Sequence, residues 1–213
     1  MGTHHATSMQ LRPYQIQAVS DLRSSFVGGG RSSLLVTPTG AGKTVVFTEI
    51  ARSAAAKGKS TLILVHRREL VKQASAKLTD AGVDHGIIAA GFPSSNHKVQ
   101  VASVQTLVRR LTTTDFKPDL IIIDEAHHAA GGTTWAKIIE NYSHAKRIGV
   151  TATPSRLDGR GLGSHFETLV SGPSVEQLVT GGFLSPHKVF APPVLVDLSQ
   201  VKTRAGDYAN DQL

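Results

Sequence analysis

The sequence predicts an α/β fold in which a mainly parallel β-sheet is covered by helices on both faces. Short and nearly continuous apolar segments recur along the chain, as is typical of strands that are buried on both faces. Segments with apolar residues at helical spacing lie between them. Strands that alternate with helices pair in parallel, because each helix carries the chain back across the sheet.

The elements follow one another without a break to about residue 151. Four apolar residues at helical spacing (Ile16, Val19, Leu22 and Phe26) predict a first helix, which ends at the glycines 28–30. The strands are predicted at residues 33–37, 60–65, 86–90, 99–103, 120–124 and 147–151. The remaining helices are predicted at residues 43–56, 67–81, 103–111 and 135–142.

Composition limits the function classes. The 213 residues contain 23 Lys and Arg against 16 Asp and Glu, and the net charge of +7 favours a polyanionic partner such as nucleic acid. The chain contains no cysteine, which excludes disulfides and thiolate zinc sites and fits a reducing compartment. No apolar run approaches the roughly 20 residues that span a bilayer. We therefore expect a soluble, cytoplasmic protein.

The segment "TPTGAGKT", residues 37–44, lies between a predicted strand and a predicted helix. This is the context of a phosphate-binding loop, in which glycines let successive backbone N–H groups point at phosphate oxygens. Gly40 and Gly42 stand where such a curl needs them. One position departs from the usual G-x-x-x-x-G-K-[ST] pattern, because Thr37 replaces the first glycine.

The side chains of this loop extend the prediction to a nucleotide and a metal. Lys43 can reach the terminal phosphates and stabilise the transferring phosphoryl group, and the Thr44 hydroxyl can bind magnesium. The backbone around Thr39 and Ala41, with the two loop glycines, would surround the phosphates. The helix that begins here adds its positive end to the same field.

A second segment, "LIIIDEAHH" at residues 120–128, brings two acids to the end of an apolar strand. Asp124 can hold magnesium, and Glu125 can orient and deprotonate the attacking water. Two adjacent acids alone could be a solvated loop. Together with the phosphate-binding loop they predict a site that hydrolyses ATP or GTP with magnesium.

These segments resemble the motifs of superfamily 2 helicases and translocases. The matching stretches in chain order are residues 11–19, 37–44, 64–70, 101–110, 124–127 and 151–154. The chain after residue 151 is also similar to RadD-like DNA helicases of bacteria and phages. The resemblance implies a RecA-like P-loop NTPase domain that uses ATP and magnesium.

The resemblance also implies roles for residues outside the phosphate loop. Gln15 would read the adenine edge and Arg12 would contact the base; the alternative for Gln15 is a helix-opening residue that caps the helix or faces solvent. His127 would connect the nucleotide site to the rest of the motor, while His128 has no assigned role. The two threonines of "TATP", Thr151 and Thr153, would relay hydrolysis to strand movement, or else be ordinary turn residues.

Two further strand ends are predicted to contact nucleic acid. Arg67 and Arg68 open a helix after one strand, and Ser103, Gln105 and Thr106 follow another. Cationic side chains, hydroxyls, amides and helix N-termini all suit phosphates, and such contacts follow the backbone without reading its sequence. Either arginine could instead be an exposed charge at the start of a helix.

The sequence thus predicts the ATP-binding half of a DNA helicase or translocase. Residues 1–8 are expected to be vector-derived or without regular structure, 9–190 to form the ATP-binding domain, and 191–213 to begin the connection to a second RecA-like domain. No Q-x-x-G-R-x-x-R motif, which would supply an arginine finger, follows residue 154. An RNA helicase, or a P-loop nucleic-acid-binding module without unwinding activity, remains an alternative. A nucleotide kinase or GTPase is disfavoured because no acceptor or guanine-reading motif is found.

Overall fold

The computed structural model describes residues 10–131, 133–153 and 162–186, together with two short strands near the end of the chain. The predicted N-terminal segment 1–8 lies outside these residues, as do Pro154 and most of 191–213. The proposed domain bounds therefore stay a prediction.

Helices and strands alternate along most of the described chain, except that the strands at Gly86–Ile88 and Val99–Ser103 follow each other directly, as do the last two short strands. The helices are α1 (Pro13–Val27), α2 (Lys43–Ala56), α3 (Arg68–Asp80), α4 (Val104–Arg110), α5 (Thr133–Asn141) and α6 (Val175–Thr180). The strands are β1 (Ser32–Val36), β2 (Thr61–Val65), β3 (Gly86–Ile88), β4 (Val99–Ser103), β5 (Leu120–Asp124), β6 (Lys146–Thr151), β7 (Thr168–Ser171), β8 (Thr203–Arg204) and β9 (Asp207–Tyr208). Short 3-10 helices cover Ala126–Gly131 and Leu162–Ser164. Among the described helices, none has the length and apolar character that crossing a membrane requires.

Seven strands form one sheet in the order β3-β4-β2-β5-β6-β1-β7, and neighbouring strands pair in parallel. The strands β8 and β9 form a separate antiparallel pair. Because all seven strands run in one direction, their carboxyl ends lie along one edge of the sheet. The loops after β1, β5 and β6 are therefore neighbours, and those after β2 and β4 continue the same edge.

The core has two layers, one on each face of the sheet. In β2, Ile63 and Val65 face a cluster that includes α1, α2 and α3, while Leu62 and Leu64 face α4 and α5. This alternation explains why β2 reads as one continuous apolar run, since both of its faces are buried. The predicted α/β fold with helices on both faces is confirmed. Trp135 and Tyr142 of α5 are core residues.

Three details differ from the sequence prediction. The strand β7 was not predicted; of its four side chains Val170 is the buried one, and its pairing with β1 defines it as a strand. The helix α6 was also missed; it is short, and Ser174 caps it by accepting a hydrogen bond from the Gln177 N–H. Ile16 follows the helical spacing of the α1 core residues, yet it is 55% exposed.

Candidate functional site

The loop after β1 curls as the glycine spacing predicts. Gly40 and Gly42 have φ of +84° and +82°, in the left-handed region that glycine adopts without strain. Gly42 precedes the first residue of α2, and a Cβ there would also collide with the amide nitrogen of Gln15. Conformation and close approach thus both require glycine at this position.

The departure at Thr37 has a local explanation. The Thr37 N–H donates to the Thr151 carbonyl at 3.0 Å, so this residue continues the pairing of β1 with β6. Its side chain is buried beside Gly172, where a Cβ would lie 2.7 Å from the Thr37 hydroxyl. The sheet therefore extends one residue further, and the curl is made by the later glycines.

A cleft of about 340 Å³ opens between this loop and the end of β5. Lys43 lies in it, with its Nζ 3.8 Å from the Glu125 Oε1, and Asp124 and Thr44 line the same cleft. Sequence reasoning missed one wall of the cleft, which α3 supplies through Leu70, Gln73 and Ala74. A larger groove of about 790 Å³ lies at the opposite edge of the sheet and contains none of the predicted site residues.

Asp124 is held in an environment that disfavours its charged form. Burial, followed by the negative charge of Glu125, raises the pKa of Asp124 to about 6. The Glu125 N–H donates to the Asp124 Oδ1 at 3.0 Å, and this bond and Lys43 act in the opposite direction. A divalent cation would favour the charged carboxylate, and the oxygen donors of Asp124 and Thr44 are the type that magnesium prefers. The residues therefore fit the predicted magnesium.

Glu125 has an unusual backbone conformation, with φ of +50° in a non-glycine residue. Strain of this kind concentrates at functional sites, where the surrounding structure maintains it. The conformation places one carboxylate oxygen near Lys43 and the other 3.4 Å from the His127 Nδ1. Glu125 therefore lies between the cation of the phosphate loop and the first histidine of the DEAH segment.

The threonines after β6 join the same network. The His127 Nδ1 and the Thr151 Oγ1 share a hydrogen bond of 2.9 Å. The Thr151 hydroxyl donates to the Thr153 carbonyl at 3.1 Å and accepts from the Thr153 N–H at 3.2 Å. The fold thus brings together the four side chains that the sequence grouped as base, coupling histidine and relay threonines.

The start of α1 contacts the phosphate loop through side chains. Gln15 is 3% exposed; its Oε1 accepts from the Arg12 N–H at 2.9 Å, and its Nε2 donates to the Ala41 carbonyl at 3.0 Å. The Tyr14 hydroxyl donates to the same carbonyl at 3.0 Å. Gln15 therefore connects α1 to the loop, while its contact with adenine stays a prediction.

Arg12 packs against residues far along the chain. Its guanidinium lies 5.3 Å from the centroid of the Phe183 ring and donates to the Tyr14 hydroxyl at 3.0 Å. The rings of Tyr14 and Phe183 meet edge to face at 5.1 Å, and Leu184 lies against Gly40. Phe183 and Leu184 thus flank the loop beside Arg12, although no local pattern in the sequence indicates this.

The predicted nucleic-acid residues lie at the ends of β2 and β4. Arg67 and Arg68 are exposed at the start of α3, and Thr106 is half-buried in α4. The Ser103 hydroxyl donates to the Gln105 Oε1 at 2.8 Å, and the Gln105 Nε2 donates to the His66 carbonyl at 2.8 Å. The two arginines are therefore presented outward, while Ser103 and Gln105 tie the two strand ends together.

The fold and this cleft define a class of protein: a RecA-like P-loop domain of the kind that forms the N-terminal ATPase half of superfamily 2 helicases. The chain belongs to the family described as type III restriction enzyme, res subunit, whose model matches residues 8–156.

Individual proteins agree with this assignment. The chain is 34% identical over 180 residues to a 51.5 kDa protein of a Lactococcus phage, covering 84% of this chain and 37% of that protein. It is 30% identical over 189 residues to the DNA 3′-5′ translocase XPB2 of Sulfurisphaera tokodaii, covering 85% of this chain and 39% of that protein. The UvsW helicase of bacteriophage T4 shares the fold, with a TM-score of 0.60 at 21% identity over 75% of this chain and 59% of that chain. The chain thus spans less than two-fifths of the length of the phage protein and of XPB2. The closer similarity to RadD-like helicases stays a prediction.

Proposed function

We propose that this chain binds and hydrolyses ATP with magnesium and contacts a nucleic-acid backbone, as the first half of a DNA-translocating motor. The observation that carries the proposal is the cleft in which Lys43 lies 3.8 Å from Glu125, with Asp124 beside them. A loop for phosphates, a carboxylate for the metal and a carboxylate for water are the parts that phosphoryl transfer requires.

Each part has one task in the proposed reaction. The backbone of the loop and Lys43 hold the terminal phosphates, and Glu125 accepts a proton from the water that attacks the γ-phosphorus. The bond to the β-phosphate oxygen breaks, and ADP and phosphate leave. Thr44 and Asp124 would hold magnesium, and the chemistry that this ion would supply is neutralisation of phosphate charge.

Lys43 would stabilise the negative charge of the γ-phosphoryl group, and Glu125 would accept the proton of the attacking water, since Lys43 extends from the phosphate loop and Glu125 lies 3.8 Å away just after β5. His127 would fix the second oxygen of Glu125, from which its Nδ1 lies 3.4 Å away. Thr151 would in turn hold the His127 ring through the hydrogen bond of 2.9 Å. A carboxylate fixed in this way is preorganised to accept a proton from a defined direction. The exposed Thr153 extends the hydrogen-bond network of Glu125, His127 and Thr151 to the surface, where a relay between hydrolysis and strand movement would need to reach.

The proposed nucleic-acid partner is DNA. The net charge of +7 and the exposed pair Arg67 and Arg68 favour a polyanion. A relative that is 30% identical is a DNA translocase, which supports DNA over RNA. A motor of this class also needs a second domain. The chain spans 37% and 39% of the length of two relatives, which supports a second domain outside the given sequence.

Lys43→Ala tests the nucleotide site. The variant loses the side-chain cation of the loop, and charged hydrogen bonds of this type contribute roughly 1.5–3 kcal/mol, so the affinity for Mg-ATP should fall about tenfold to a hundredfold. Titration calorimetry with ATP, and with GTP to test the rival class, measures the effect. The matched control is Lys57→Ala, which removes the same charge from the far end of the same helix. Unchanged affinity for ATP in a folded Lys43→Ala variant would refute the assignment.

A further inference from the structure

Three histidine rings pack in a row between the nucleotide cleft and the polar strip at the ends of β2 and β4, which we propose to bind nucleic acid. Neighbouring rings are tilted by 50° and 44° to one another, and we call this row the histidine stack. His66 follows β2, and His127 and His128 belong to the 3-10 helix after β5. The ring centroids of His66 and His128 are 4.2 Å apart, and those of His128 and His127 are 4.1 Å apart. His128, to which the sequence gave no role, is therefore the middle ring that joins the ends of two neighbouring strands.

One end of the stack reaches the proposed general base. The His127 Nδ1 lies 3.4 Å from the Glu125 Oε2 and 2.9 Å from the Thr151 Oγ1. A displacement of the His127 ring would therefore change the contact that holds one oxygen of Glu125.

The other end reaches the arginine that we propose to bind phosphate. The Arg67 Nε donates to the His66 Nε2 at 3.1 Å, so this nitrogen is an acceptor and the ring carries its proton on Nδ1. That Nδ1 is buried and finds no hydrogen-bond partner among the described residues. The hydrogen bond from Arg67 therefore orients the His66 ring. Since the buried Nδ1–H donor has no partner, reorienting the ring breaks no hydrogen bond at that nitrogen.

The surroundings of His66 and His128 disfavour a positive charge on either ring, and this allows the two rings to pack closely. Burial is the main cause that lowers the pKa of His66 and of His128, and the positive charge of Arg67 adds to the effect on His66. The lowered pKa values favour the neutral form of both rings, which reduces like-charge repulsion between them. A phosphate that draws Arg67 away removes the hydrogen bond to His66 without placing a charge in the stack.

We propose that the stack of His66, His128 and His127 transmits the engagement of a phosphate by Arg67 to the position of Glu125. His66 and His128 are positioning residues in this scheme. A DNA phosphate competes with His66 for the Arg67 guanidinium, His66 reorients, and His128 passes the displacement to His127. The inference rests on the proposed function, because it needs a nucleotide site and a DNA strip to connect.

The experiment measures coupling, which is separate from binding at either site. The dissociation constant of magnesium with adenylyl-imidodiphosphate is measured with and without a saturating single-stranded oligonucleotide, and the ratio is the coupling factor. We expect a factor of about five or more for the wild-type chain, since typical allosteric couplings are about 5- to 150-fold. His128→Ala should bring the ratio close to one while each separate dissociation constant changes by less than about twofold.

Two controls separate positioning from a loss of structure. His128→Phe keeps a flat ring between its neighbours and should retain most of the coupling, whereas His144→Ala removes an exposed histidine outside the stack and should leave the ratio unchanged. Coupling that persists in His128→Ala would overturn the inference. So would a His128→Ala variant that loses nucleotide affinity in the absence of DNA.

A measurement on the wild-type chain does not depend on any variant folding. The imidazole resonances of His127 and His128 should shift when single-stranded DNA is added, and Arg67→Lys, which keeps the charge but changes the donor geometry, should reduce the shift. Resonances that do not respond to bound DNA would refute the stack as the connection. A wild-type chain that binds neither nucleotide nor DNA would instead refute the proposed function.

Discussion

Asp124 carries the largest electrostatic cost in the candidate site. It is the last residue of the buried strand β5 and is 9% exposed, so its charged form is poorly solvated. Glu125 adds a second negative charge next to it. The pKa of about 6 records this cost. A cation in the cleft would offset it, which is why the same residue can be unfavourable for the fold and favourable for binding a metal nucleotide.

Asp124→Asn should therefore stabilise the chain while it weakens the binding of Mg-ATP. The Asp124 carboxyl binds its proton more tightly in the folded state, because its pKa there is about 6, than in the unfolded state, where it keeps its ordinary pKa of 3.8. The free energy of unfolding of the wild-type protein therefore falls as the pH rises from about 4 to about 6. At 1.36 kcal/mol per pKa unit, the wild-type protein loses roughly 3 kcal/mol of stability over this pH range, and the asparagine variant does not. Urea unfolding of both proteins at pH 4 and pH 7 measures it.

The two proteins should differ little in stability at pH 4 and most at pH 7. Glu140→Gln, at an exposed position on α5, serves as the control for removing one acid and should show no such trend. A wild-type protein that is more stable than Asp124→Asn at pH 7 would show that the buried carboxylate is compensated within the fold itself.

At the scale of the elements, the parallel sheet collects the site along one edge. The ends of β1 and β5 supply the candidate nucleotide cleft, the end of β6 adds the threonines that contact His127, and the neighbouring ends of β2 and β4 supply the polar strip. In this order β5 lies between β6 and β2, so the DEAH segment contacts both groups. The histidine stack crosses this boundary because the loops after β2 and β5 are neighbours.

The start of α3 is the element on which the nucleic-acid proposal depends. Removing both charges in the double variant Arg67→Ala/Arg68→Ala should weaken binding of unrelated single strands to a similar extent. The slope of log affinity against log salt should flatten by about one to two contacts. Fluorescence anisotropy over a salt series measures both quantities.

The matched control for this double variant removes two exposed lysines, Lys57 and Lys98, from the end of α2 and the loop before β4. It has the same loss of net charge but should keep the wild-type slope. If the slope of log affinity against log salt flattens equally in both double variants, binding depends on overall charge. The two arginines are then no more than exposed charges at the start of a helix.

At the scale of the whole molecule, the described cleft supplies cations from one direction. In the proposed reaction Lys43 would contact the terminal phosphates from the loop, while no Q-x-x-G-R-x-x-R motif follows residue 154 in the sequence. The transition state of phosphoryl transfer spreads negative charge that is stabilised from both sides. We infer that a complete active site needs an arginine from another domain.

We therefore expect this 213-residue chain to bind ATP but to turn it over slowly, with little stimulation by DNA. An arginine finger contributes roughly 10³–10⁵ in rate, or about 4–7 kcal/mol of barrier, which Glu125 alone cannot replace. A phosphate-release assay on this chain and on a longer one that includes the second domain, with and without single-stranded DNA, measures the difference. Comparable DNA-stimulated rates would contradict the half-motor interpretation.

The sequence by itself determined the sheet strands up to β6, the glycine curl, and the loop and acidic residues of the cleft, but not the wall that α3 supplies. These features are local: buried strands are continuous apolar runs, and a left-handed turn needs glycine at Gly40 and Gly42. Asp124 and Glu125 could be assigned to the same edge as Lys43 because parallel strands end on one side. Local periodicity together with the rule for parallel sheets was sufficient for this part of the site.

Only the tertiary structure decided the contacts between distant segments. Phe183 meets Arg12 across 171 positions, β7 is a strand only through its pairing with β1, and His128 is a central ring only because β2 and β5 are neighbours. The burial of Gln15 against the Ala41 carbonyl likewise depends on how α1 packs beside the loop. Such contacts leave no periodic pattern in the chain, since their energy comes from pairs of surfaces that the fold brings together.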